Sequence, residues 1–217
     1  MGNPQSTNAL RLQGVGVRFH HRVVLSNVSL TVATGEKVCL RGPSGCGKST
    51  VLGCLLGFVL PHTGEIEIEG HPLTARSVWT FRQRIAWAPQ EPDWTGLTLR
   101  EALDQPFTYH ANRNLRPPTE PPPPWMERFD LPRDLLNTPC SNLSGGEKQR
   151  LGLVIALQLH RPILLLDEVT SALDRTNRER VRDVLRALNG PTILAVSHDP
   201  EAESWADRIV ELEAAHA

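Results

Sequence analysis

The sequence has few of the features that mark membrane-inserted or nucleic-acid-binding proteins. No apolar run is long enough to span a bilayer, and glycines interrupt the longest candidate, residues 51–60. Residues 1–7 are polar and include a proline, which is not the pattern of a secretory signal peptide. The formal net charge is −1 and charges of both signs are interspersed, so nothing indicates a nucleic-acid partner.

Cysteine is also scarce. The chain has four cysteines and no C-x-x-C pair of the kind that binds zinc. Three of them lie in or beside the glycine-rich segment 42–49, where a disulfide would obstruct the loop. We therefore expect reduced thiols and a cytoplasmic location.

Strand and helix patterns alternate along the chain, and there is no internal repeat. The predicted strands are 15–19, 23–25, 28–32, 37–40, 66–68, 84–88, 163–166 and 192–196, and helices are predicted after residue 48, at 144–159 and at 178–188. This alternation predicts an α/β fold with a parallel sheet. We expect a flexible tail over residues 1–8, a single domain over 9–217, and an extended surface excursion over the proline-rich residues 116–125.

The segment 42–49 fits the pattern G-x-x-x-x-G-K-[ST] between an apolar strand and a helical pattern. Its glycines let backbone N–H groups surround a phosphate chain, Lys48 supplies a positive charge, and the Ser49 hydroxyl can bind Mg²⁺. The predicted nucleotide-binding residues here are Gly42, Pro43, Ser44, Gly45, Cys46, Gly47, Lys48, Ser49 and Thr50. Because Cys46 lies within this loop, we expect alkylation of its thiol to inhibit the protein.

Two carboxylates follow the apolar run 163–166 directly. A buried strand that ends in Asp167 and Glu168 places both groups in the crevice beyond the carboxyl edge of a sheet. Two acids beside a phosphate loop need a cation, which predicts that Asp167 holds Mg²⁺ through water. Glu168 is then predicted to polarise an attacking water as a general base.

The run from Leu143 to Arg150 reads Leu-Ser-Gly-Gly-Glu-Lys-Gln-Arg. Ser144 followed by Glu147 is a capping box, a common way to begin a helix. The same residues leave a helix N-terminus without bulky side chains, which suits an anion. Combined with the phosphate loop and the acidic pair, the run resembles the signature of ATP-binding-cassette (ABC) proteins, and the resemblance extends from about residue 10 to about residue 212.

The resemblance implies a P-loop NTPase core of the ABC ATPase type, with an antiparallel β subdomain and a helical subdomain at about residues 91–160. It implies ATP and Mg²⁺ as ligands. It also implies a head-to-tail dimer, in which Ser144, Gly145 and Gly146 of one copy close over the γ-phosphate bound by the other.

Four further residues acquire roles only through the resemblance. Gln90 would contact Mg²⁺ and sense a membrane partner, His198 would contact the γ-phosphate, and Asp174 belongs to a loop that crosses the dimer interface. Phe19 would stack on adenine, with a place in the core as the alternative. The predicted catalytic residues are Lys48, Gln90, Glu168 and His198, and the predicted metal-binding residues are Ser49, Gln90 and Asp167.

The implied function is the ATPase subunit of a transporter, peripheral on the inner face of the cell membrane and bound to a separate polytopic permease. We expect the permease to dock on residues 91–103, where Trp94, Leu97 and Leu99 are predicted to be exposed. Val169 and the sequence of residues 127–132 resemble the corresponding positions in the ATPase subunits of Fet-type iron exporters.

The alternatives are another ABC system, either an importer or a lipoprotein-releasing system, and an ABC ATPase that acts on DNA or ribosomes. The stretch 50–144 is too short and proline-rich for the long coiled coil of the DNA-repair type, and there is one cassette rather than the ribosomal pair. A regulatory module without turnover is disfavoured by Glu168 and His198.

Overall fold

Two β-sheets form the framework of the protein in a computed structural model, which describes residues 8–115, 124–198 and 201–215. The strands are β1 (Asn8–Phe19), β2 (Arg22–Ala33), β3 (Lys37–Arg41), β4 (Thr63–Ile68), β5 (His71–Pro72), β6 (Ile85–Ala88), β7 (Ile163–Asp167), β8 (Thr192–Val196) and β9 (Arg208–Glu211). The helices are α1 (Lys48–Leu55), α2 (Val78–Arg82), α3 (Leu99–Thr108), α4 (Pro124–Arg128), α5 (Gly145–Gln158) and α6 (Arg175–Ala187).

The larger sheet is parallel, with the strand order β6-β7-β8-β3-β9. Its central strands β7 and β8 are buried along their whole length, as expected of parallel strands covered on both faces. The predicted parallel α/β sheet is therefore present.

The smaller sheet is antiparallel, with the order β2-β1-β4-β5. Leu10, Leu12, Val15 and Val17 of β1 are buried, and they share a hydrophobic cluster with α1 and one face of the parallel sheet. The antiparallel sheet thus packs over α1 and the loop that precedes it.

A second hydrophobic cluster covers the other face of the parallel sheet. It joins α3, α4, α5 and α6 to that sheet, and Met126, Phe129 and Leu151 are fully buried at its centre. Between β6 and β7, the described residues include helices α3, α4 and α5 and three short 3₁₀ helices.

Two predicted boundaries differ from the structure. Asn8, assigned to the tail, is the first residue of β1, and the rest of that tail lies outside the described residues. Of the proline-rich excursion, residues 116–123 lie outside the described residues, whereas Pro124 and Trp125 begin α4 and Trp125 packs against the core. Proline is well tolerated in the first turn of a helix, so the last proline of the run can be the first residue of α4.

Candidate nucleotide-binding site

Four neighbouring strands end at one edge of the parallel sheet, and each end carries a predicted site residue. The phosphate loop follows β3, Gln90 follows β6 closely, Glu168 follows β7, and His198 lies two residues after β8. Because the strand order is β6-β7-β8-β3, these segments lie side by side. Ligand sites of open α/β sheets lie beyond this carboxyl edge.

The phosphate loop adopts a backbone that requires glycine at two positions. Gly42 has a φ of 154°, and a Cβ there would lie 2.3 Å from the Leu212 carbonyl oxygen. Gly47 has a φ of 104°, and its Cβ would lie 2.5 Å from Leu25 Cδ2 and 3.0 Å from the Val24 carbonyl oxygen. Any larger residue at either position would force the loop away from the neighbouring strands.

Lys48 and Ser49 begin α1 and face into the loop. Lys48 Nζ donates to the carbonyl oxygens of Gly42 and Pro43, at 2.9 and 3.0 Å, so the ammonium is held at the mouth of the loop. Ser49 Oγ donates to Asp167 Oδ1 at 3.0 Å. A hydroxyl and a carboxylate at this separation are both ligands that Mg²⁺ accepts.

The acidic pair occupies two different environments. Asp167 is almost fully buried, and burial raises the pKa of its carboxyl against the opposing effects of the Ser49 hydrogen bond and of Lys48. Glu168 has a left-handed backbone, with a φ of 46°, and its N–H donates to the Val196 carbonyl oxygen at 2.9 Å. Such a conformation costs about 1–3 kcal/mol in a residue other than glycine and persists only where the surroundings impose it.

Gln90 and His198 hold the Glu168 carboxylate from two sides. Gln90 Nε2 donates to Glu168 Oε2 at 3.2 Å, and His198 Nε2 lies 3.1 Å from Glu168 Oε1. The structure therefore brings these three predicted catalytic residues together, next to the phosphate loop.

These groups line a cleft with a volume of about 640 Å³. Its lining comprises Phe19, Arg22, Val24, Ser44, Gly45, Gly47, Lys48, Ser49, Thr50, Gln90, Glu168 and His198. Phe19 is 48 % exposed at the end of β1, so the alternative that placed it in the core is wrong. Four predicted site residues are not among those that line the cleft: Gly42, Pro43, Cys46 and Asp167.

The remaining predicted residues lie away from this cleft. Ser144 caps α5 in a full capping box: Glu147 N–H donates to Ser144 Oγ, and the Glu147 carboxylate accepts from the Ser144 N–H. The hydrogen bonds that the Ser144 hydroxyl and N–H donate to this carboxylate lower the pKa of Glu147. Gly145 and Gly146 follow in the first turn, and Asp174 caps α6 through the Asn177 N–H at 2.8 Å. None of these four predicted nucleotide-binding residues lines the cleft of its own chain.

Two residues of the site were missed by sequence reasoning. Arg22 and Val24 line the cleft from the start of β2, directly across a tight turn from Phe19. Their position just after the aromatic residue was the available signal, since a hairpin that presents Phe19 also presents the first residues of its second strand.

The position of Cys46 does not support the expectation that alkylation of its thiol inhibits the protein. Its side chain is 2 % exposed and packs in the cluster beneath the loop, away from the cleft. The other three cysteines are buried as well, and burial raises the pKa of the Cys54 thiol to about 11. Thiolates are the reactive species, so burial limits the access of reagents to these thiols and, at Cys54, also disfavours ionisation.

We now predict that the folded protein resists thiol alkylation. Iodoacetamide near neutral pH should leave the intact mass and the rate of ATP hydrolysis unchanged, because no described thiol reaches solvent. Protein unfolded in guanidinium should gain four adducts, which serves as the control for the reagent. A Cys46 adduct on folded protein, accompanied by loss of activity, would contradict this placement.

A phosphate loop with a lysine and a hydroxyl, beside a buried aspartate at the end of another strand, is the arrangement found in P-loop NTPases. The sequence from residue 25 to 171 matches the family model described as "ABC transporter". The chain belongs to that family, as an ATP-binding subunit.

Individual relatives agree with this assignment. "Probable iron export ATP-binding protein FetA" of Escherichia coli K12 is 33 % identical over 96 % of this chain and 93 % of its own length. The "Energy-coupling factor transporter ATP-binding protein EcfA1" of Bacillus subtilis 168 is 36 % identical over 87 % of this chain and 68 % of its own length.

Solved structures agree as well. The "Dimeric Structure of MJ0796, a Bacterial ABC Transporter Cassette" is 28 % identical, covers 94 % of both chains and superposes with a TM-score of 0.80. The same cassette bound to ADP and Pi, in a post-hydrolysis dimer, superposes with a TM-score of 0.79, at 28 % identity over 95 % of this chain and 97 % of its own. These findings confirm the predicted fold, ATP hydrolysis, and ATP with Mg²⁺ as ligands.

Proposed function

We propose that this chain hydrolyses ATP at the cleft between the two sheets and drives a separate membrane permease. The observation that carries the proposal is the position of Glu168, whose carboxylate is fixed between Gln90 and His198 beside the phosphate loop. A general base must be held within reach of the water that it activates, and fixing its carboxylate from two sides achieves that.

The cleft provides surfaces for each part of ATP. The exposed ring of Phe19 faces the cleft at one end and would stack on adenine, while Lys48 and the loop N–H groups would bind the phosphates. His198, whose side chain is 46 % exposed, follows β8, the strand next to β7 and Glu168. From there it would contact the γ-phosphate.

The residues around Asp167 fit a bound Mg²⁺. A buried carboxylate with a raised pKa, 3.0 Å from a hydroxyl, is an arrangement that a divalent cation stabilises. Ser49 and Gln90 would bind the ion, and Asp167 would hold it through water. When bound, Mg²⁺ supplies charge neutralisation for the phosphate oxygens.

A second copy of the chain completes the site. Gly145 and Gly146 place their N–H groups at the start of a 14-residue helix that Ser144 caps, yet none of the three residues lines the cleft of its own chain. In a head-to-tail pair they would close over the γ-phosphate of the other copy, with the loop that ends at Asp174 beside them. The dimeric MJ0796 cassettes, which share this fold, support that pairing.

The direct test is MgATP hydrolysis by the purified chain. We expect phosphate release that requires Mg²⁺ and is abolished by chelation. Tight ATP binding without any hydrolysis, alone or with a membrane subunit, would instead indicate a regulatory module.

The docking surface proposed for the permease changes with the structure. Leu99 is fully buried, and Trp94 and Leu97 are half-buried against the core, so residues 91–103 do not form the expected exposed patch. An aromatic patch lies instead at Phe58, Trp79 and Trp87, which are 58, 68 and 38 % exposed. Exposed apolar clusters of this kind mark interaction sites.

The aromatic patch has an ordered structure and a route to the site. The rings of Phe58 and Trp87 meet edge to face with their centroids 5.6 Å apart, and Arg82 stacks over both Phe58 and Trp79. Trp87 belongs to β6, the strand that leads to Gln90. A permease helix seated here would therefore bear on the segment that contacts Glu168, and we propose this patch as its docking surface.

Replacing Phe58 and Trp79 with serine should weaken co-purification with the membrane subunit by about tenfold or more, because aromatic anchors dominate interface energies. ATP binding by the isolated chain should be unchanged. Tyr109→Ser is the matched control, since Tyr109 is 52 % exposed at the end of α3 and outside the patch. Loss of ATP binding in the double variant, or undiminished co-purification, would count against docking at this patch.

We propose iron or another metal ion as the cargo and the inner face of the cell membrane as the location. The support for the cargo is the likeness to FetA, which spans nearly the whole of both chains. Among the described residues, no helix is both long and apolar enough to cross a bilayer. Cells that lack the chain should retain metal if it drives export, and the wild-type chain should relieve that retention whereas a Glu168 variant should not. Reduced metal uptake in such cells would instead favour import.

A further inference from the structure

Gln149 links the start of α5 to the catalytic residue of the same chain. Its side chain is 4 % exposed and lies in the second turn of the helix that Ser144 begins. The Nε2 atom donates to Ser171 Oγ at 2.7 Å, to the Glu168 carbonyl oxygen at 3.3 Å and more weakly to the Gln90 carbonyl oxygen at 3.4 Å. The Oε1 atom accepts from the Ala172 N–H at 3.0 Å.

The segments that Gln149 joins are also in direct contact. A Cβ on Gly146 would lie 3.2 Å from the Ala172 carbonyl oxygen, and one on Gly145 would lie 3.5 Å from Ala172 Cβ. The first turn of α5 and the loop after Glu168 are therefore packed closely together at Ala172. Displacement of this helix end must be accommodated by the loop, and the loop continues directly from Glu168.

Only an amide side chain satisfies all of these partners. The carbonyl and hydroxyl oxygens on one side need a donor, and the Ala172 N–H on the other needs an acceptor. A glutamate would place a carboxylate oxygen against the Glu168 and Gln90 carbonyl oxygens, and an apolar residue of equal length would satisfy none of the groups.

We propose that Gln149 is a positioning residue that couples the two ATP sites of the dimer. The inference rests on the proposed head-to-tail pairing, in which Ser144–Gly146 of one chain contacts the nucleotide of the other. Glu168 of that first chain acts on its own nucleotide. Gln149 connects Ser144–Gly146 to Glu168 within one chain. Closing of the dimer around ATP at one site therefore orients the glutamate that hydrolyses ATP at the other site.

The test compares Gln149→Met with Gln158→Met in the full-length protein. Gln158 is a second buried glutamine of α5, whose Nε2 donates to the Leu103 carbonyl oxygen at 2.7 Å, remote from the cleft. Each substitution removes a buried amide from the same helix and keeps a similar volume, so the loss of packing is matched.

Wild type should show a Hill coefficient for ATP above about 1 and below about 2, since the dimer has two sites. Gln149→Met should lower kcat about tenfold, which corresponds to a rise of about 1.4 kcal/mol in the activation free energy. It should also reduce the Hill coefficient to about 1. ATP affinity, measured with a fluorescent analogue, should stay within about twofold of wild type. Gln158→Met should retain both kcat and the Hill coefficient of wild type.

Ser171→Ala provides a second route that does not disturb the core, because Ser171 is exposed and contributes the shortest of the Gln149 bonds. It should lower the Hill coefficient in the same direction and by less. The proposal is overturned if wild type is non-cooperative, if kcat falls while cooperativity is kept, or if the two glutamine variants behave alike. Absence of hydrolysis by wild type would instead contradict the proposed ATPase function.

Discussion

Glu168→Gln is expected to bind ATP normally, to lose hydrolysis by about 10²–10⁴-fold, and to accumulate as a dimer in MgATP. The amide keeps the shape of the side chain and can still contact Gln90 and His198, but it cannot accept a proton from water. ATP would then remain intact between the two chains and hold them together. Size-exclusion chromatography with MgATP, alongside a phosphate-release assay, measures both effects.

Glu179→Gln is the matched control for this substitution. Glu179 lies on α6, half-exposed and paired with Arg175 rather than with any residue of the cleft. This variant should hydrolyse ATP at the wild-type rate and remain monomeric after turnover. A Glu168→Gln protein that stays monomeric in MgATP would contradict the dimer model. Retained hydrolysis in this variant would show that Glu168 is not the catalytic base.

Ser144→Arg is expected to have the opposite signature, with ATP binding retained and both hydrolysis and the ATP-dependent dimer lost. A long side chain at the start of α5 fills the space in which the phosphate of the second copy would meet the helix N–H groups. Introduced into Glu168→Gln, it should convert the trapped dimer back to monomer. Chromatography of the double variant checks this without any need for residual activity.

The chain contains its own control for the loss of the helix cap. Thr98 and Glu101 form the same capping box at the start of α3 that Ser144 and Glu147 form at α5. Alanine at either cap should cost about 1 kcal/mol of stability, seen as a similar fall in melting temperature. Only Ser144→Ala should also slow hydrolysis, and equal activities in the two variants would assign Ser144 a purely structural role.

The residues of the cleft were predictable where a local pattern carries the chemistry. The phosphate loop and the acidic pair each follow a buried strand, so strand ends and charge sufficed to place Lys48 and Glu168 at one edge. Gln90 and His198 became recognisable only through the family resemblance, since a single glutamine or histidine after a strand has no pattern of its own. Their functional roles remain predictions.

The errors arose where the answer depends on tertiary packing. Trp94 packs against α5, where a Cβ on Gly152 would be 3.7 Å from its ring, and nothing in the sequence next to Trp94 specifies that neighbour. Cys46 belongs to the phosphate loop by sequence, yet its side chain turns into the core beneath it. Gln149 was passed over for the same reason, because its partners are distant in sequence.

The close contact at Gly47 has a mechanical consequence. Because Gly47 leaves no room for a Cβ against Val24 and Leu25, the hairpin that bears Phe19 and the loop that bears Lys48 pack directly against each other. The spacing between the adenine and phosphate surfaces is then preset before ATP arrives, and little ordering entropy is lost on binding. In the proposed dimer we therefore expect the change at the ATP site during the cycle to come from α5 of the second copy, which approaches and leaves the γ-phosphate.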